Sequence, residues 1–318
     1  MRRTPATVLS LSLIVLPFIT AGLAQTPSSA ASAQKAVGDD PAQKIGVLEV
    51  RLPLSVKDKG KFVSGLSVRN FEVYEDGKPQ SIVNFVAPSE LPLRIGLLID
   101  TSNSVKLKLP FEKDAGEDFV ATVTTYRRKD RILLASFDSD VELHQDFTDN
   151  QELLIRELRK LKANGYTRIY DAVYRVIEEK MANLTGDDSR RIIVVLSDGE
   201  DTASEKTLKQ AIEIAQRYDV TIFGISTKNF KGTGSGTVES EDDKDLRTLC
   251  ESTGGQVFLP SQKKDLFQSF TEVALDLRSE YVLFYKPINQ QRSPKAREIR
   301  VKLVGADGHM FYKRGYVY

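Results

Sequence analysis

Leu93-Arg-Ile-Gly-Leu-Leu-Ile-Asp100, continued by Thr101-Ser102-Asn103-Ser104, is the stretch on which the reading of the fold turns. An apolar run stops at an aspartate, and a serine-rich turn follows. A second run does the same: Arg191-Ile-Ile-Val-Val-Leu-Ser-Asp198, then Gly199. Residues such as Ile192 to Leu196 are apolar without alternation, as expected of strands covered by helices on both sheet faces. Each run therefore reads as an interior strand with a carboxylate at its carboxyl end.

Working outward, strand-like and helix-like segments alternate from about 90 to 278. Further strands are expected at Arg131–Phe137, Val141–Phe147, Val220–Ser226 and Gln256–Leu259. Between them, Pro110 suits a helix start, and Phe111, Ala115, Phe119 and Val123 recur at helical spacing. Asp149 with Glu152 resembles a capping box before Leu154, Leu158 and Leu161. Ile169, Val173, Val176 and Ile177 mark a third helix, and Ser204 is placed to cap a fourth. Leu266, Phe267, Phe270, Val273 and Ala274 mark the last. Only Asp138-Ser139-Asp140 separates the second strand from the third, too short for a helical crossover, so Val141–Phe147 is expected as an antiparallel edge. The expectation is an open, doubly wound, mostly parallel six-stranded α/β sheet ordered 3-2-1-4-5-6.

On either side of this region the period changes to two. Leu48, Val50, Leu52, Leu54 and Val56 fall on one face of a strand. Phe71 to Tyr74, an Asp76-Gly77 turn and Ile82 to Val86 read as a hairpin. Near the other end, Tyr281–Tyr285 is a strand, Ile299, Val301 and Leu303 alternate, and Ala306-Asp307-Gly308 precedes Met310 to Tyr312. Neither set makes an independently stable sheet. Residues 45–89 and 279–318 are thus expected to combine into one small β-domain, with the α/β domain at 90–278 inserted between them.

Arg2, Arg3 and the apolar stretch from Val8 to Leu23 have the form of a signal peptide at 1–24, cut before Gln25. An uncleaved anchor is the rival, but the apolar run is short and holds Pro17. Residues 25–44, rich in Ala, Ser, Gln, Thr and Pro, read as a linker. The chain is expected to be exported, periplasmic or secreted.

Composition narrows the function. Forty-five Lys and Arg balance 44 Asp and Glu, so no overall field points to nucleic acid. His144, His309 and Cys250 cannot form a zinc site of the usual His/Cys kind or an intrachain disulfide. Cys250 falls with Leu246 and Leu249 on one helix face, the placement of a small buried hydrophobe. The glycine-rich stretch 231–237 does not open from a strand directly into a helix, so it is a loop and no phosphate cradle.

Ligands of open α/β sheets sit at the carboxyl ends of strands where the strand order reverses. In the expected order that point lies between the strands ending in Asp100 and Asp198. Two carboxylates with nearby hydroxyls offer oxygen donors suited to a hard cation, without completing its shell of about six. Taken singly, each has an ordinary structural alternative: Ser-rich and Asp-Gly segments make turns, and Thr167 can cap the following helix. Glu200 and Asp201 flank the crevice, and Glu239 to Asp243 suit a solvated helix start.

Asp100-Thr-Ser102-Asn-Ser104 resembles the Asp-x-Ser-x-Ser signature of the metal-ion-dependent adhesion site of von Willebrand factor type A (VWA) domains. Gly165-Tyr166-Thr167-Arg-Ile-Tyr-Asp-Ala172 is similar to that family's threonine loop, and Val195-Leu-Ser-Asp198-Gly to its distal aspartate. The resemblance spans about 90 to 278. It implies a Mg²⁺ (or Mn²⁺) site in which Asp100 and Thr167 supply oxygens in or near the first shell. Ser102 and Ser104 would bind directly, and Asp198 largely through water. The partner implied is a protein presenting an Asp or Glu carboxylate, with neither nucleic acid nor a small-molecule substrate. Tyr166 stands where the family commonly has glycine, which would narrow the loop. The flanking β-pieces are more loosely similar to secreted bacterial VWA-related proteins.

Two other readings compete with this binding module. One is a Mg²⁺-dependent phosphohydrolase with Asp100 as nucleophile; such enzymes carry a general-acid aspartate two residues later, where this chain has Ser102. The other is a structural envelope protein. A serine hydrolase fits poorly, since no Gly-x-Ser-x-Gly elbow is present.

Overall fold

A computed structural model describes residues 49–87, 91–126, 129–184, 189–198, 201–228, 241–291, 293 and 295–317. The expected signal peptide, the linker, Glu200, the loop at 231–237 and Glu239 lie outside these residues.

Strand β1 (Val50–Asp58) turns Val50, Leu52, Leu54 and Val56 to the interior, the period-two face read from the sequence. After β2 (Lys61–Phe62) come β3 (Phe71–Glu75) and β4 (Lys78–Gln80), paired antiparallel. Asp76 (φ 47°) and Gly77 (φ 77°) make the tight turn between them, where glycine carries no Cβ penalty. The return strand of this hairpin is β4 and not Ile82–Val86, as the sequence had suggested. Pro79 lacks an N–H and keeps β4 a short edge strand. After Ser81, β5 (Ile82–Val86) joins the other sheet.

The α/β region runs through β6 (Leu93–Asp100), α1 (Leu109–Tyr126), β7 (Arg131–Phe137), β8 (Val141–Thr148) and α2 (Gln151–Lys160). It continues with α3 (Ile169–Val176), β9 (Arg190–Ser197), α4 (Leu208–Arg217), β10 (Val220–Ser226), α5 (Glu241–Ser252), β11 (Val257–Phe258) and α6 (Lys263–Asp276). Its six strands are ordered β11-β10-β9-β6-β7-β8, the expected order, with only β8 antiparallel to its neighbour. One face packs Ile95, Leu97 and Ile99 against α1, α2 and α6; the other packs Leu98, Leu133 and Val195 against α3, α4 and α5. Cys250 is buried in that second layer, where desolvation holds its thiol protonated.

Three local expectations are corrected. Asn150, not Asp149, caps α2, its side chain accepting from the Leu153 N–H. Thr207, not Ser204, caps α4, in a capping box with Gln210. On α1, Phe111 is partly exposed, and the inward stripe is Leu109, Glu112, Ala115, Phe119 and Val123. Ala115, Phe119 and Val123 face inward as their spacing implies; only the first turn differs, where Leu109 and Glu112 are inside in place of Phe111.

The last strands are β12 (Tyr281–Tyr285), β13 (Arg297–Leu303), β14 (His309–Tyr312) and β15 (Gly315–Tyr316). One sheet is ordered β14-β1-β12-β5, with β2 on β1; the other is β15-β13-β3-β4. Strands from both ends of the chain therefore pair directly, Leu52 opposite Leu283 and Val73 opposite Val301. The inner faces share one apolar core, forming a β-sandwich. Within it Glu75 is buried, accepting from Arg297 at 2.7 Å and from the hydroxyls of Tyr285 and Tyr316 at 2.8 Å each. A charge taken out of water needs such a shell of partners. Arg190 at the start of β9 and Glu280 before β12 form a second buried pair, linking the α/β layer to the sandwich.

Candidate metal centre

β6 and β9 are neighbours in the sheet, so Asp100 and Asp198 arrive at the same carboxyl edge. Asp100 is fully buried and both its oxygens are engaged: Oδ1 accepts from the Ser102 N–H at 2.8 Å, and Oδ2 from the Ser197 hydroxyl at 2.6 Å. The first bond turns the chain sharply as it leaves the strand, and so presents the next hydroxyls. Ser102 Oγ and Ser104 Oγ lie 2.8 Å apart, Ser102 buried and Ser104 exposed, a pair running from the floor of the crevice to its mouth.

Two backbone bonds bring the threonine loop to this turn: Asn164 N–H to Thr101 O (2.6 Å) and Asn103 N–H to Gly165 O (3.1 Å). Gly165 has φ 74°, and a Cβ there would meet Ser139 Oγ at 2.4 Å, so the approach requires glycine. Thr167 follows, 3 % exposed. It does not cap the helix after it: Arg168 holds that position. Tyr166 is 69 % exposed, its ring in solvent, so it does not narrow the loop.

Asp198 lies just past the end of β9 and is 8 % exposed. Its Oδ2 is 4.0 Å from Lys108 Nζ, while its Oδ1 is buried without a hydrogen-bond partner among the described residues. Burial raises the Asp100 pKa to about 6, against the hydrogen bonds of Ser197 and Ser102, and the negative charge of Asp198 adds to the rise. Buried carboxylates with an unpaired oxygen are costly unless a cation balances them. The donors are all oxygens, and the residues fit a hard divalent ion with room left in its shell. Among the described residues no three His, Cys, Asp or Glu could hold an ion by themselves, so hydroxyls are needed.

The von Willebrand factor type A domain profile matches residues 95–272, more than half of the 318 residues. The chain belongs to this family. VWA domains are protein-interaction modules. The β-strands outside the matched region lie in sheets separate from its own. Among solved structures, a von Willebrand factor type A protein from Catenulispora acidiphila is similar, with TM-score 0.50 and 13% identity, covering 78% of this chain and 73% of that one. The vWF domain of a type V pili tip protein from Porphyromonas gingivalis matches with TM-score 0.48 and 14% identity, covering 59% and 95%. A proximal thread matrix protein of the mussel byssus, with a zinc-occupied MIDAS motif, matches with TM-score 0.45 and 18% identity, covering 59% and 48%. No curated protein matches.

Beyond the residues the sequence points to, Ser197 and Asp171 also shape the VWA site. Ser197 holds Asp100. Asp201 accepts from Ser204 and from the Tyr170 N–H, and Asp171 accepts from the N–H groups of Glu205 and Lys206. These bonds brace the start of α3 against the segment after Asp198. Ser204, expected as a helix cap, works in this brace. Glu112 is buried on α1, and its signal was available: an acid on the inward stripe of an amphipathic helix.

Proposed function

We propose that this VWA protein holds one Mg²⁺-like ion, Mg²⁺ or Mn²⁺, through Asp100, Ser102, Ser104, Thr167 and Asp198, and uses it to capture an acidic residue of a partner protein. The observation that carries this reading is the buried, unpartnered Oδ1 of Asp198 beside the buried Asp100. The ion would supply positive charge and an open coordination position at the mouth of the crevice. The two aspartates contribute about −2 when ionised and the hydroxyls add donors without charge, so an incoming carboxylate is favoured.

A hydrolase using Asp100 is disfavoured by the residue two positions on: such an enzyme needs a general acid there, and this chain has Ser102. The role is binding rather than catalysis. The start of the chain supports export with cleavage before Gln25, to the periplasm or beyond. No helix among the described residues is long and apolar enough to cross a membrane. We also read 45–89 and 279–318 as one β-domain carrying the VWA domain of 90–278.

Calorimetric titration with Mg²⁺ and Mn²⁺ tests the site. Wild type binds, Asp100→Ala does not, and Ser102→Ala is weakened less, because water replaces a neutral hydroxyl but not a charge. Capture of an envelope partner should then be lost in chelator. Identical titrations of wild type and Asp100→Ala would overturn the reading.

A further inference from the structure

The first turn of α1 carries a carboxylate that the adhesion-site motif does not include. Glu112 is fully buried; its Oε1 accepts from the Thr227 hydroxyl at 2.8 Å, and its Oε2 is buried with no hydrogen-bond partner among the described residues. Thr227, just beyond β10, also gives its N–H to Ser197 O at 2.8 Å, and Ser197 holds Asp100. Glu112 is thus tied to Asp100 through Thr227 and Ser197 in turn. The charged groups acting on it are Asp100 at the end of β6, Asp198 past β9 and Lys108 just before α1. These are the groups that also surround the ion crevice.

We propose that Glu112 is a third carboxylate of this metal centre, a positioning residue that adds negative charge behind Asp100 and Asp198 without being a ligand. A buried acid on an apolar helix stripe is unfavourable as a purely structural element, since leucine or methionine would fill the same space at no desolvation cost. The unpartnered oxygen of Glu112 matches that of Asp198, the other buried carboxylate oxygen without a hydrogen-bond partner among the described residues that belongs to this group of charges. With Glu112 ionised the three carboxylates exceed a divalent ion's charge, so the ion is held more firmly and a partner's carboxylate is drawn less strongly. Loss of the Glu112 charge should weaken ion binding and strengthen carboxylate capture for each ion bound. A space-filling role would produce neither opposition nor a change in pH profile.

This inference rests on the proposed ion site, and titration of the full chain with Mn²⁺ alone separates the two. In wild type the dissociation constant should tighten as pH rises from 6 to 9. Glu112→Gln, isosteric but uncharged, should bind Mn²⁺ about tenfold more weakly at the upper end, with a flatter profile. Its melting temperature in chelator reports that it folds, and Glu112→Asp should keep the wild-type profile. Should Glu112→Gln not fold, Thr227→Val removes the hydroxyl that fixes Glu112, and an altered dissociation constant is expected. If wild type binds Mn²⁺ and Glu112→Gln (or, in its place, Thr227→Val) binds with the same affinity and profile, Glu112 is only a buried acid. If wild type does not bind at all, the ion site itself is wrong and the inference falls with it.

Discussion

The Ser197 hydroxyl donates to Asp100 Oδ2 across 2.6 Å, joining the ends of two neighbouring parallel strands. That bond opposes the burial that lifts Asp100 to about 6. Ser197→Ala should therefore raise Asp100 further and cost about 1–2 kcal/mol of stability. A metal must displace a proton from a protonated Asp100, so the mutant's Mn²⁺ affinity should fall more at pH 6 than at pH 8. Parallel calorimetry at the two values checks this, and an equal loss at both would show that Ser197 does not tune Asp100.

Glu112 makes the metal-free protein pH-sensitive. Burial lifts its pKa from 4.5 to about 8, with Asp100 and Asp198 adding to the rise. Between those values the folded state keeps a proton that the unfolded chain releases, so unfolding free energy falls as pH rises. The stability from this group is full below about 4.5 and is lost as pH passes through about 8. Urea unfolding in chelator at pH 5 and pH 8 should differ by a few kcal/mol more in wild type than in Glu112→Gln. Equal differences would remove Glu112 as the cause.

Gly165→Ala places a Cβ against Ser139 on a left-handed backbone. The strain and the collision together should cost about 2 kcal/mol or more. The loop carrying Thr167 should shift as a result, so metal affinity falls with the melting temperature. An alanine variant as stable as wild type would contradict the close approach of this loop to Ser139.

In the sandwich, Glu75→Leu or Arg297→Met alone leaves the other member's buried charge unpaired. Each single change should cost about 3 kcal/mol, whereas Glu75→Leu with Arg297→Met should cost less than the two single losses added. Urea midpoints of the set measure the coupling, and additive losses would mean that the pair is not energetically linked.

The sequence by itself determined the α/β core and the strand-end chemistry. The runs ending at Asp100 and Asp198 are dictated by local pattern: unbroken apolar residues for a strand covered on both faces, then turn residues that cannot continue it. The three-residue link before Val141 required an antiparallel edge, and that too is a local steric fact. The tertiary structure decided what depends on packing between distant segments. Ile82–Val86 reads like a hairpin arm but pairs with Tyr281–Tyr285, because the apolar face it completes belongs to the other sheet. Phe111 and Glu112 are adjacent in a helix whose rotation is set by the surfaces of β6 and α6, so the acid is inside and the ring partly outside. Caps moved from Asp149 to Asn150 and from Ser204 to Thr207 because a helix starts where its first buried turn meets the sheet. The hydrogen bonds joining Ser197 to Asp100 and Thr227 to Glu112 exist only once a strand end meets a neighbouring strand or helix that is far away in the chain.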